Sequence, residues 1–498
     1  MKKDHTPSPN EGLNRQLGLI GLAATGICSM LGASIYVVPF MIQRHVPGIG
    51  PNVLPAFFFA ALPAIFAAIA YAILSTAMPR AGGSYLYASR GLHPYLGFIA
   101  SFSQWFGLSI AIGVISYIII PFFRDIADAM EWQSLSTWLG QGSARVILAL
   151  VLLWFFVGIN LLGIRSYEKI VIPLMIVMFG LGAIVVIAGF SYDQAEFAAQ
   201  LLEKEGRTLP QKESSLPLMT LLSASAILFA SFIGFDAIAQ AGGEARNPKR
   251  SLPLAIALAI GTVSLYYFIF TSAVYHAVPW SYVAEEAAQR DISAPGLLGV
   301  VLSPGWTIAI TLGAAIALIN DLPAMLLSVS RLMFAWAEDG IFPKQVARIH
   351  PKYQTPFGAI LISGGMATVG ILGSHLAGDF FLGIDIMVTA MLVNFLLMCL
   401  TVIWLPKYNP AIAKTISIFK SRTAQLAMAI PGVLLLTLFL GVHTWRDFQT
   451  EVDAWYFRPT LIWLLVLALA SFIFFWKTRQ LKQAGIDIKT AFKDLPNH

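Results

Sequence analysis

Three carboxylates, Asp236, Asp321 and Asp385, stand inside stretches that are otherwise apolar enough to cross a membrane. A charge at mid-bilayer is costly unless it is paired, protonated or hydrated, so each is a candidate for holding a proton, a cation or a cationic group. Two stretches also crowd small and polar residues where a spanning helix should be continuous. "GICSMLGASIYVVP" (Gly26–Pro39) brings Gly26, Ser29, Gly32, Ala33 and Ser34 together, and "FASFIGFD" (Phe229–Asp236) holds Gly234 and Asp236. Glycine weakens a helix, and no bilayer water stabilises the break. A break exposes N–H groups at one half-helix end, which suit a carboxylate, and carbonyls at the other, which suit an ammonium. A zwitterionic amino acid carries both groups on one carbon. The competing reading is close packing of helices through small residues, which fits one such stretch better than two at matching positions.

The rest of the chain must position these breaks. Of 498 residues, 57% are hydrophobic and only 12% charged, about half the charged share of a soluble domain. Apolar windows of membrane length recur throughout, which predicts an all-α polytopic membrane protein. Twelve spans are read, at roughly 17–40, 53–78, 94–123, 145–163, 169–190, 217–241, 252–276, 306–336, 356–375, 380–405, 424–443 and 459–476. The Met1–Gln16 leader has no apolar core or small-residue cleavage site, so the first span is expected to be retained. With the N-terminus inside, the inside segments carry most of the Lys and Arg, which predicts cytoplasmic termini. The net charge of +6 is then topology charge rather than a nucleic-acid surface. Segments 191–216 and 277–305 read as outside loops with solvated acidic charge; "APGLLGVVL" (Ala294–Leu302) is a candidate short helix over the entrance. Cys28 and Cys399 both lie in apolar stretches, so neither a disulfide nor a cysteine metal site is expected, and both read as packing residues.

The interrupted spans are the first and the sixth, each opening a run of five. That arrangement points to a transporter built from two inverted repeats, since five is odd. The expected organisation is a cytoplasmic tail at 1–16, a first repeat at 17–190, a second at 217–405, two additional helices at 424–476, and a cytoplasmic tail at 477–498.

At these residues the sequence resembles the amino acid–polyamine–organocation superfamily, nearest to its cationic-amino-acid-transporter-like permeases. "GICSMLGASIY" is similar to that family's first-span motif, and "MPRAGGSYLYASRGLHPYLGFIASF" to its signature after span two. "FIGFDAIAQAGGEARNPKRSLP" resembles the sixth-span motif and "SRLMFAWAEDGIFP" the end of the eighth. The resemblance implies a leucine-transporter-like fold of five plus five inverted spans and two extra helices, and no cofactor. It implies that backbone amides at Gly32, Ala33 and Ser34 meet the substrate carboxylate. Carbonyls near Met30, Phe229, Ala230 and Phe232 would meet the amino group, with Phe229 and Phe232 also resembling an aromatic gate. Gly234, Asp236, Glu244 and Arg331 fall on structural or gating positions. Cys28 and Ser34 replace motif glycines, and Gly243 stands where the first of two glutamates usually sits, leaving Glu244 beside Arg246. The "EARNPKR" segment reads either as a brace for the inner half or as a helix-ending turn.

Asp321 falls, by count from Ser330–Arg331, where relatives often carry a small or hydroxyl residue facing the first helix; Asn320 is the alternative at that place. Relatives often add a span-five lysine near it, but here Met178 occupies that place and no Lys or Arg lies between Lys169 and Asp193. Asp321 is therefore the candidate coupling site, for a proton or for Na⁺. Asp385 reads as wetted near a span end. Cationic carriers of the family commonly place a glutamate in span three; here the place is near Gly107, and nothing acidic occurs from Pro94 to Phe123. The reading is a secondary active carrier of a neutral amino acid in the cell membrane, the inner membrane in a bacterium, with the bilayer, the amino acid and H⁺ or Na⁺ as its partners. A cationic amino acid or polyamine carrier or exchanger, and a non-transporting amino-acid sensor, stay open. An enzyme is not expected, because the histidines sit at span ends without catalytic motifs, and no repeated channel filter is visible.

Overall fold

The computed structural model describes residues 13, 15–209, 217–377, 381–452, 454–486 and 492–496, with only the main chain at 33, 34, 377 and 381. The described residues are helical, with two isolated bridges and no strand, and twelve helices are long and apolar enough to cross a membrane. They run Leu19–His45, Gly50–Ala77, Pro94–Ala129, Gly142–Leu161, Ile164–Ser191, Leu218–Gly243, Pro248–Ala277, Pro304–Glu338, Phe357–Leu376, Leu382–Tyr408, Arg422–Gln449 and Pro459–Gln483, and are called spans one to twelve. Most of the expected tail residues 1–16 lie outside the described residues.

Proline sets several starts: Pro94, Pro248, Pro304 and Pro459 each open a helix, where a missing N–H removes no intrahelical bond. Span three has 36 residues, about 54 Å of helix against about 30 Å of hydrocarbon. It therefore projects well beyond the apolar core or crosses it at a steep tilt.

Spans one, three, six and eight are the most buried, whereas five, eleven and twelve turn most of their apolar surface outward. The two interrupted helices thus sit at the centre, shielded by a lipid-facing ring. Span one consists of two half-helices, Leu19–Leu31 and Ala33–His45, joined at Gly32. Span six ends its first helix at Leu228, tightens into a 3₁₀ turn over Phe229–Phe232, passes through extended Ile233, and restarts at Asp236–Gln240. Gly234 has φ +137°, a conformation open to glycine, and a Cβ there would overlap the Ser29 carbonyl. The two breaks are therefore in main-chain contact with each other.

The segments read as outside loops are largely helical, which corrects that expectation. Gln194–Glu205 starts with a capping box between Asp193 and Glu196, and Trp280–Gln289 and Ala294–Leu298 follow span seven. Their acidic residues are not all solvated either. Glu286 is buried and takes Arg207 at 2.8 Å and Arg290 at 2.6 Å, while Arg207 also meets Glu285 and Glu205 at 3.1 Å.

Candidate functional site

The Gly32 break leaves the first amides of Ala33–His45 and the last carbonyls of Leu19–Leu31 without helical partners. One of those carbonyls is engaged: the Tyr267 hydroxyl of span seven donates to the Met30 oxygen at 2.9 Å. Tyr267 lies 5.8 Å from the Phe232 ring and 5.5 Å from Phe57, so Phe232 is tied to the break through aromatic packing. Phe229 packs instead against Phe395 and Phe439 of spans ten and eleven. Ala230 is buried within the 3₁₀ turn. Ala33 and Ser34 begin the second half-helix, and their side chains lie outside the described residues.

Asp321, in span eight, faces this break. A Cβ on Gly32 would overlap the Asp321 carboxyl, so the side chain fills the space that the glycine leaves. Asp321 is 4% exposed, and its Oδ1 has no hydrogen-bond partner among the described residues. Asn320 points elsewhere: its amide donates to Cys28 Sγ at 2.9 Å and to the Val171 carbonyl of span five at 3.4 Å. Of the two neighbours, Asp321 addresses the break and Asn320 ties span eight to span five. Ser29 and Ser231, one beside each break, also have buried hydroxyls without partners among the described residues. Sequence reasoning did not single out their hydroxyls; the available signal was a serine within each interrupted stretch.

Asp236 heads the restarted helix of span six. Its Oδ2 accepts from the Gln104 amide of span three at 2.5 Å. Gln104 Oε1 accepts from Ser84 at 2.5 Å and from Asn394 of span ten at 3.1 Å; Asn394 also donates to Tyr71 of span two at 2.8 Å. Gln240 closes the chain by donating to Ser84 at 3.1 Å. A buried polar network of this kind fixes geometry, and here it holds the restart of span six against four neighbours, although Asp236 Oδ1, Gln240 Oε1 and Asn394 Oδ1 have no hydrogen-bond partner among the described residues. Gly107, by contrast, is a contact point: a Cβ there would lie 3.0 Å from the Met387 Cα and 3.2 Å from the Ala390 Cβ of span ten.

Two ion-pair systems bracket the broken helices. At the end of span six, Glu244 accepts from Arg331 of span eight at 2.5 and 3.1 Å, with both side chains buried. There the Leu17 main chain exchanges hydrogen bonds with Glu244 and Arg246, which ties the residues before span one to those after span six. On the same face Arg90 pairs with Asp339 at 2.5 and 2.7 Å, and Tyr85 donates to Asp339 at 2.5 Å. At the other end of span one, Arg44 meets Asp291 at 2.8 Å and also donates to the Ala287 carbonyl. Asp385 is paired as well, with Arg446 of span eleven at 2.9 Å. His443, read as an interface histidine, is fully buried beside the Asp385 carbonyl at 3.3 Å. Cys28 and Cys399 are free and buried.

The amino acid permease family model matches residues 17–480. A branched-chain amino acid permease of Bacillus subtilis is 26% identical over 494 residues, covering 96% of each chain. A methylthioribose transporter of the same organism is 22% identical over 481 residues, covering 94% of this chain and 95% of that one. Human cationic amino acid transporter 4 is 26% identical over 370 residues, covering 71% of this chain and 54% of its own.

Proposed function

The chain belongs to the amino acid permease family, and from that premise we propose that it carries a neutral amino acid by alternating access, coupled to H⁺ or Na⁺ held at Asp321. The observation that carries this reading is the seat of the Asp321 carboxyl against Gly32, between the half-helices of span one. Substrate would lie across the two breaks, its carboxylate on the amides of Gly32, Ala33 and Ser34. Its ammonium would lie near the carbonyls of Met30, Phe229, Ala230 and Phe232, below Phe232 as a gate. The second lone pair of the Met30 oxygen remains for this role beside Tyr267. Neutralising Asp321 removes an uncompensated charge from the centre of the protein, so ion and substrate are expected to be taken up together.

A neutral side chain is favoured because the span-three position Gly107 packs on span ten, and because Asp236 is already held by Gln104. The full-length likeness to a branched-chain permease agrees with this. A second reading follows from the same Asp321: a cationic side chain could itself be the positive charge that meets this carboxylate, giving a cationic amino acid carrier or exchanger. Glu244–Arg331 and Arg44–Asp291 would be the inner and outer closures, with termini cytoplasmic, spans one to five and six to ten forming the inverted halves, and the cell membrane the setting.

Uptake of labelled leucine and of labelled arginine into proteoliposomes, with and without imposed H⁺ or Na⁺ gradients, tests the proposal. Gradient-driven leucine accumulation is the expected result. Arginine accumulation in its place selects the second reading. Binding with neither accumulation nor counterflow selects a sensor and overturns both.

A further inference from the structure

Away from the breaks, a cavity of about 930 Å³ opens between the ends of spans ten and twelve and the loop before span three. Lys407, Lys482 and Lys493 line it, and no Asp or Glu does. None of the three lysines has an ion pair among the described residues. Its apolar wall is Trp404, Phe474 and Phe475. Lys407 and Lys482 stand in the last turns of spans ten and twelve. That is headgroup depth, where lysine stems lie along apolar surface and tryptophan rings settle.

The pocket is also structurally fixed. Lys407 Nζ lies 5.2 Å from the Trp404 ring, and Phe475 stacks on Tyr95 of span three at 5.1 Å. Lys493 is brought in by the C-terminal segment, whose main chain accepts from Asn409 at 3.0 Å and from Arg90 at 3.2 Å, with Phe492 5.2 Å from that guanidinium. A chain segment distant in sequence is thus anchored to add a third cation to two supplied by helix ends.

We propose that this cavity binds the phosphate headgroup of an anionic phospholipid from the leaflet at this end of spans ten and twelve, with its acyl chains along Trp404, Phe474 and Phe475. Three lysines with no carboxylate in the lining select a phosphate, and the exposed Trp404 and Phe475 of the aromatic wall select a phosphate that carries chains.

The test is native mass spectrometry of the full-length protein released from micelles with added phosphatidylglycerol or phosphatidylcholine, compared with the variant K407Q/K482Q/K493Q. Wild type should retain phosphatidylglycerol over phosphatidylcholine, and the triple variant should need on the order of tenfold more of it for equal occupancy. Unchanged thermal unfolding in phosphatidylcholine nanodiscs checks that the variant is folded; a variant that unfolds is replaced by the three single substitutions, each of which should lower occupancy. Equal retention of both lipids, or equal phosphatidylglycerol binding by folded variants and wild type, overturns the proposal. Displacement of the lipid by millimolar glycerol phosphate overturns it too, since that would mark a site for a soluble phosphate. The readout needs no transport, so it stands or falls apart from the carrier assignment.

Discussion

The carboxyl of Asp321 occupies the volume that a side chain on Gly32 would need, so the break in span one and the buried charge of span eight form one site. The main-chain conformation at Gly32, φ −53° and ψ −124°, lies away from the helical region. It leaves the carbonyls that end the first half-helix and the amides that open the second without helical partners at the same point. Both kinds of group and one carboxylate therefore converge on a residue without a side chain.

Gly32→Ala should cost about 1–3 kcal/mol of stability, as expected for overpacking a tight contact, and weaken substrate binding. Gly32→Leu should abolish uptake while the protein still inserts and folds, and Ser34→Leu should do the same. The diagnostic variant is the double, Gly32→Ala with Asp321→Ala, which removes the carboxyl that the new methyl meets. Binding by thermal shift should be stronger in that double than in Gly32→Ala alone. Equal binding in the two would show that the carboxyl is not what the methyl strikes.

Glu244 and Arg331 lie 87 residues apart in sequence and pair in a buried position. Glu244→Gln strands a guanidinium and should destabilise the protein by about 3–5 kcal/mol, whereas Glu244→Gln with Arg331→Met should recover much of that loss. Thermal unfolding in detergent reads both. If the single variant unfolds like wild type, the pair is not a structural latch.

Burial works against the charge on Glu286, but the hydrogen bonds from Arg207 and Arg290 outweigh it and hold this carboxyl below its ordinary range. A depressed carboxyl contributes stability that is present above its unfolded value, about 4.3, and is lost as pH falls through the folded one. Hydrogen exchange across Gln194–Glu205 and Trp280–Gln289, corrected for intrinsic rate, should therefore be alike at about pH 7 and 5 and rise only below about pH 4. Glu286→Gln should raise it already at neutral pH. Unchanged protection in that variant would remove the clamp from the account of these connecting helices.

Much of this architecture is legible in the sequence because its signals are local. Apolar windows mark the twelve spans to within a few residues at most ends, and Gly32 and Gly234 mark the breaks directly. Asp321 stands out because a carboxylate in an apolar run has few bland explanations. What stays hidden depends on register between distant spans. Gln104, Ser84, Asn394 and Tyr71 are ordinary polar residues in their own helices, and only packing brings them round Asp236. Phe229 and Phe232 look equivalent in sequence, yet three residues in a tightened turn send one ring toward span eleven and the other toward Tyr267. The capping box at Asp193 and Glu196 was readable, and the acidity of that segment concealed it.

Asp321→Asn tests the coupling assignment. The amide is close to isosteric, so the seat beside Gly32 is retained while the charge, and with it the need for a neutralising cation, disappears. No Lys or Arg lies between Lys169, near the start of span five, and Asp193 to serve as a built-in partner: Met178 is buried at the place in question, and Asn320, not a cation, reaches toward that span. Substrate binding and counterflow between equal concentrations should then continue in the variant, because neither needs a net ion movement. Accumulation driven by an imposed H⁺ or Na⁺ gradient should fall to the level of vesicles without a gradient. Asp236→Asn is the contrasting control, since its carboxylate accepts from Gln104; it should lower stability and all modes of transport together. If gradient-driven accumulation survives Asp321→Asn unchanged, the ion is held elsewhere, and the carboxyl at Gly32 only shapes the break.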